Sequence, residues 1–490
     1  MSYSRADKAI IDRYMKEIDD QIESIVNSAT NVKITGDAYY ISADGDDNND
    51  GRSPESAWAT PDKLRSARLK YGDGVFFRRG DSFRIVNAIG TVNGVTYSAY
   101  GEGPKPRIIC SVDGSGADKW EATEYKNIYR LIEKIPGKDR DVGTIVFNGG
   151  KAWGIQIQKT SEGNRLEIGR VFNGIEWFDT TTGAFEDQRD LDNNLEFYHN
   201  WEEDTVYLYC KDGNPGEVFE SIELVDKGHG ISLGSNIGVV IDNIEIFGSG
   251  SHGIGGGTIK DVTVQYCVLK WIGGSIQGIG RNYGVRFGNA VESYGSSENF
   301  TIRYCYASQI YDCCWTVQLQ QAAVMKNIHM YGNVTEYANT GLEVWQNGGV
   351  LSGMQLHNNY TRFDGYGWSH QRPNKDPNFF YGAGEVARYN NDNDVSYNIN
   401  LFSSKYCLKA RPVGPDFYNF HDNVYIMEED KYVGWIPEDP ISCELPMKVT
   451  PYDEETITRL QDMGFESGSK YYVTEKEPLG DMYKLCIPKE

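Results

Sequence analysis

The chain has 490 residues, 39% of them hydrophobic, which is enough to bury a large core, and it carries a formal net charge of −22. That charge argues against nucleic-acid or anionic-membrane partners, and no run of about 18 apolar residues is present to span a bilayer. The 54 glycines and 33 tyrosines suit a turn-rich β protein, and the nine cysteines form no zinc-spaced cluster and read as core thiols of a reducing compartment.

The N-terminus lacks the apolar stretch of a secretory leader, so a cytoplasmic location is expected unless a leader has been removed. Residues 5–27 place Ile11, Tyr14, Ile18, Ile22 and Ile25 three and four apart behind Ser4, the pattern of an amphipathic helix. A solenoid needs its open ends covered, so residues 1–37 are expected to cap the first coil.

The next segments, AYYISADGDDNNDGRSPESAWAT (38–60) and GDGVFFRRGDSF (72–83), combine a strand, an acidic Asn/Asp/Gly turn, a Ser-Pro and a Trp before a GD-x-V-x-F strand. In this the chain resembles the right-handed parallel β-helix proteins of the pectate-lyase-like superfamily, over roughly residues 38–425. The resemblance implies an all-β, right-handed parallel β-helix and, for many members, action on carbohydrates as glycoside hydrolases or polysaccharide lyases. The turn Asp44–Asp50 offers oxygen ligands suited to Ca2+ and equally reads as a solvated hairpin turn. No cofactor is otherwise required.

Residues 38–150 are expected to form the first coils, and the alternating segments of 151–227 a β-rich insertion. From 228 to 425 the coils become regular. An apolar residue followed three positions later by Asn or Cys recurs at Val240/Asn243, Val264/Cys267, Ile302/Cys305, Met330/Asn333, Leu356/Asn359, Tyr397/Asn400 and Phe420/Asn423. Successive polar members lie 23 to 41 residues apart, a solenoid period without helical heptads. Asn is expected there because it tolerates a left-handed turn and its amide can stack up the ladder. Two long spacings leave the segments 273–288 and 365–390, whose Arg281, Arg286, Trp368, His370 and Arg372 suit a polar, ring-shaped ligand. Residues 426–490 are expected to close the other end.

Aligning the coils on Ile254, Val291, Leu342 and Leu408 as inward residues puts Glu292, Glu343 and Lys409 in one outward column. Thr316 takes the intervening rung if Trp315 is inward. Paired carboxylates two rungs apart, about 10 Å between Cα atoms, fit glycosidic cleavage by one acid and one base. Asp312 is a third candidate carboxylate. His252, Arg286, Trp345, Trp368, His370, Arg372, Lys409 and Arg411 are candidates for substrate binding. A one-residue slip would turn the column inward. The function expected first is a glycoside hydrolase acting on oligosaccharides. A lyase acting by β-elimination on a uronate glycan, with Lys409 and Arg411 in play, and a non-catalytic glycan-binding module are the alternatives. The number of chains that associate is left open.

Overall fold

The computed structural model describes residues 3–137, 140–159, 163–168, 181–277, 286–319, 323–371, 376–385, 389–410, 418–439 and 447–475. Among these, three long sheets of 11, 11 and 10 strands run side by side, their strands paired in parallel from coil to coil except for Met447–Pro451, which closes the third sheet antiparallel, so the chain is a parallel β-helix. We call them the ladder sheet (from Ala38–Ile41 to Asn419–His421), the helix-side sheet (from Ser82–Arg84 to Lys470–Thr474) and the site sheet (from Ile89–Gly90 to Met447–Pro451). Alternate residues of each strand point into one continuous apolar core.

The column that repeats along the coils is Ile244, Cys267, Cys305, Asn333, Asn359, Asn398 and Asn423. The carbonyl of each accepts the amide that opens the helix-side strand of the following coil. Asn398 therefore stands where Asn400 was expected, and Asn243 lies one residue before the column. The left-handed residue is also not the column residue itself, although at Asn243 (φ 56°) it is the Asn of the repeat. It is the one before: Tyr266, Tyr304, Gly332, Asn358, Tyr397 and Asp422 all have φ between 51° and 66°. This bend turns the next side chain inward. Asn359 then donates through Nδ2 to Met330 O (2.8 Å) and Asn398 Oδ1 (3.0 Å), and its own Oδ1 accepts from Asn333 Nδ2 (3.0 Å). A thiol serves on the two Cys rungs because Cys305 Sγ reaches the equivalent carbonyl, Val264 O, at 3.7 Å. The described cysteines are buried free thiols. Replacing Asn359 by Leu strands these donors and acceptors in the core, and we expect a loss of about 2 kcal/mol in urea denaturation.

The N-terminal helix α1 (Lys8–Val26) forms as the spacing predicts, but its cap is Asp7, whose carboxylate accepts from Ile10 N at 2.9 Å. It does not cover the first coil. Its apolar face (Ile11, Tyr14, Ile18, Ile25) packs on the outside of the helix-side sheet, against Val268, Tyr306, Val334, Ile399 and Ile426. It spans several coils because those outward positions form an apolar stripe from Val268 to Ile426. Leu64, Ala67 and Leu69, between the first two strands of the ladder sheet, pack on the main core instead. At the far end α2 (Glu454–Asp462) inserts Ile457 and Leu460 into the core, and Glu466 Oε2 accepts from Asn423 at the top of the ladder (3.1 Å).

The insertion is longer than the sequence suggests. Val112–Asp113 already pairs antiparallel with Ile222–Asp226, so coils occupy the chain only to Ile109 before resuming at Ile231. It docks through an aromatic cluster of Trp153, Trp271, Tyr311 and Trp368. In the turn 44–50, Asp47 accepts from Ala59 N, Thr60 N and Thr60 Oγ1, Asp50 from Arg52 N and Ser56 Oγ, and Asp44 from Arg78. Donors from residues 52–60 and from Arg78 thus engage these carboxylates.

Candidate active site

The site sheet carries β1 (Ile231–Gly234), β2 (Ile254–Gly256), β3 (Val291–Tyr294), β4 (Cys313–Leu319), β5 (Thr340–Asn347), β6 (Asn378–Glu385), β7 (Tyr406–Ala410) and β8 (Tyr432–Pro437). Ile254, Val291, Trp315, Leu342, Phe380 and Leu408 pair rung by rung and are fully buried. The residues after them must face outward. They form a column: Gly255, Glu292, Thr316, Glu343, Tyr381, Lys409 and Trp435. Glu292 and Glu343 are thus two rungs apart on one wall, about 10 Å between Cα atoms. A second outward column beside it holds Tyr294, Gln318 and Trp345.

Thr316 Oγ1 donates to Glu343 Oε2 at 3.2 Å. Glu292 is held from its N-terminal side by a relay of turn residues. The His252 amide donates to His229 Nδ1 (3.3 Å), the Asn289 amide to His252 Nδ1 (3.0 Å) and the Cys313 amide to Asn289 Oδ1 (3.0 Å). Because His252 Nδ1 accepts, its proton sits on Nε2, 3.1 Å from Glu292 Oε2. Asn289 Nδ2 donates to the same oxygen. Gly255 gives the imidazole its place, since a Cβ there would come within 3.2 Å of His252.

Both histidines are neutral. Burial pushes His252 down to about 4, against the pull of Asp312, and His229 down to about 4 by burial and the neighbouring ring. The unfolded chain binds protons at these sites near pH 6.5, so their share of stability is present above that value and is lost as pH falls toward 4. We expect the melting temperature to drop on acidification from pH 7 to 4.5, and to drop less in His252→Gln. An equal drop in the variant would mean that other groups govern acid stability.

Asp312 lies in the corner before β4, beside His252 and not in the Glu292–Glu343 column. Its amide donates to Gly288 O (3.2 Å), and Thr340 N donates to its carbonyl (3.0 Å). Lys409 is on the wall but engaged: Nζ reaches Asp376 Oδ2 at 3.1 Å and lies 5.6 Å from the Tyr381 ring and 4.9 Å from the Trp435 ring. Trp345 is half-buried on β5.

Two expected ligand-binding residues are buried elsewhere. Trp368 is fully enclosed, donating Nε1–H to Gln309 O (3.1 Å) and packing on Trp271 and Tyr311. Arg286 is 1% exposed, bound to Asp141 and to Gly274 O (2.6 Å). Each sits in a long inter-coil segment, and each pins that segment to the insertion instead of facing solvent. Arg281, Arg372, Arg411 and the side chain of His370 lie outside the described residues. Asn289, Tyr294, Tyr381 and Trp435 were not anticipated, although continuing the coil alignment through 378–385 and 432–437 exposes the last two.

No protein-family model matches the chain, and no curated protein matches it in sequence. Among solved structures, it is similar to a GH136 lacto-N-biosidase from Eubacterium ramulus (12% identity, 90% of this chain and 67% of that one, TM-score 0.37). It is similar also to XylC in complex with xylose (10%, 89% and 82%, TM-score 0.46) and to the pectate lyase Pel9A (10%, 90% and 75%, TM-score 0.40). At such identities and scores the likeness is one of architecture, and the chain's own strand register is what defines it as a parallel β-helix.

Proposed function

We propose that the protein is a glycoside hydrolase acting on oligosaccharides at the outer wall of the site sheet. The observation that carries this reading is the pair Glu292 and Glu343, directed away from the core on one column but nearly enclosed (6% and 4% exposed), with Thr316 between them and Tyr294, Trp345, Tyr381 and Trp435 on the same wall. Aromatic faces suit sugar rings, and two carboxylates supply the proton for the leaving oxygen and the base or nucleophile that glycosidic cleavage needs. A separation of two rungs, about 10 Å between Cα atoms, leaves room for a water between the two carboxylates, which favours inversion.

The hydrogen bonds around the pair support a division of roles. Two neutral donors, His252 Nε2–H and Asn289 Nδ2–H, converge on one oxygen of Glu292, which stabilises a carboxylate and suits the base. Glu343 is then the proton donor. β-Elimination would instead need an unprotonated base to take the proton α to the carboxylate, and Lys409 on this wall is the cation of an ion pair with Asp376.

Incubation with oligosaccharide panels, including uronates, tests the reading. We expect new reducing ends without absorbance of an unsaturated uronate. Such absorbance would make the protein a lyase, and binding without turnover would make it a lectin-like module.

A further inference from the structure

Besides the Asn ladder, whose amides are paired, one corner of the solenoid interior is polar. Asp364, just after the helix-side strand Tyr360–Arg362, is fully buried. Its Oδ2 accepts from Asn400 Nδ2 at 3.2 Å, while Oδ1 has no hydrogen-bond partner among the described residues. Asn400 Oδ1, Asn378 Oδ1, Ser403 Oγ and Ser404 Oγ are buried and unpartnered in the same way.

These atoms come from segments that meet at Gly365. A Cβ on Gly365 would lie 2.1 Å from Ser404 Oγ and 2.4 Å from Pro377 Cβ, and Asn378 follows Pro377. Ser404 N donates to Asp364 O at 2.8 Å, which closes the corner. Gly365 itself has φ 79°, so both its conformation and its missing side chain are required here.

Native interiors rarely leave so many polar atoms unpaired, and every orphan at this corner is an oxygen. The donor set of one carboxylate, two amide carbonyls and two hydroxyls is that of a hard cation. Charge selects its valence. Asp364 is the one carboxylate in the set, and its polar neighbours Thr361 and Asn400 are neutral. A single positive charge balances it, whereas a divalent ion would leave net charge in a low-dielectric interior. We propose that this corner binds a monovalent cation, Na+ or K+, through Asp364, Asn400, Asn378, Ser403 and Ser404. The ion fastens the helix-side strands to the start of β6, next to the strand that carries Glu343. Without an ion, burial pushes the Asp364 carboxyl well above the usual carboxylate range, toward its neutral form.

Thermal melts at pH 7 in NaCl, KCl and choline chloride at equal ionic strength test the site, and they need no substrate. We expect the melting temperature in Na+ or K+ to exceed that in choline by about 3 °C, as for a site near saturation. Asp364→Asn should abolish the difference and Ser404→Ala should narrow it. Equal melting temperatures in the three salts would overturn the proposal. So would a difference that survives in Asp364→Asn, stabilisation by Ca2+ but not by Na+ or K+, or an Asp364→Asn variant more stable than wild type in Na+. The last outcome would mean that a neutral acid occupies the corner.

Discussion

Glu343→Gln and Glu292→Gln are each expected to lower turnover by more than about 100-fold, the contribution of a positioned acid or base, with the melting temperature little changed. The substitution keeps the shape and removes only the ionisable group. The two variants should not behave alike. If Glu343 protonates the leaving oxygen, an aryl glycoside whose leaving group needs no proton should recover much of the activity in Glu343→Gln and little in Glu292→Gln. The contacts give the reason. Glu292 Oε2 is fixed by His252, whose tautomer is set by the Asn289 amide, and by Asn289 itself, while Glu343 is met by the Thr316 hydroxyl. Wild-type turnover in both variants would remove this wall as the site of chemistry.

Arg286→Met is expected to destabilise the protein by about 3–5 kcal/mol, because it leaves Asp141 charged and enclosed. Asp141 also accepts from Ile276 N at 2.8 Å and from Trp201 Nε1 at 3.2 Å, so it cannot turn to solvent without releasing the junction between insertion and solenoid. Urea denaturation followed by tryptophan fluorescence would read the loss. Replacing both partners, Arg286→Met with Asp141→Leu, should recover most of it, since an apolar pair leaves no unpaired charge. A ligand-binding arginine would behave differently. Unchanged stability with a raised KM would return Arg286 to the substrate.

How far the sequence reaches is clearest at particular residues. The alternation around Ile254, Val291, Leu342 and Leu408 was sufficient to put Glu292, Thr316, Glu343 and Lys409 on one face, because the period of a strand is two and a stacked coil inherits its register from its buried residues. The repeat also announced the solenoid, although Asn398 and not Asn400 holds the ladder. Both are Asn two residues apart, and only the hydrogen bonds to Asn359 and Asn423 separate them. The amphipathic spacing of α1 was equally legible, but not the surface it covers. That depends on outward residues from coils more than a hundred positions away.

By itself, then, the order of residues determined which side chains are vertical neighbours, since each coil repeats a local alternation. The tertiary structure alone decided what lies over each face: that Arg286 and Trp368 lock the insertion in place, that Lys409 is paired with Asp376, and that His252 and Asn289 meet on Glu292. Those contacts join segments whose spacing carries no period, so packing and charge pairing settle them only once the coils have stacked.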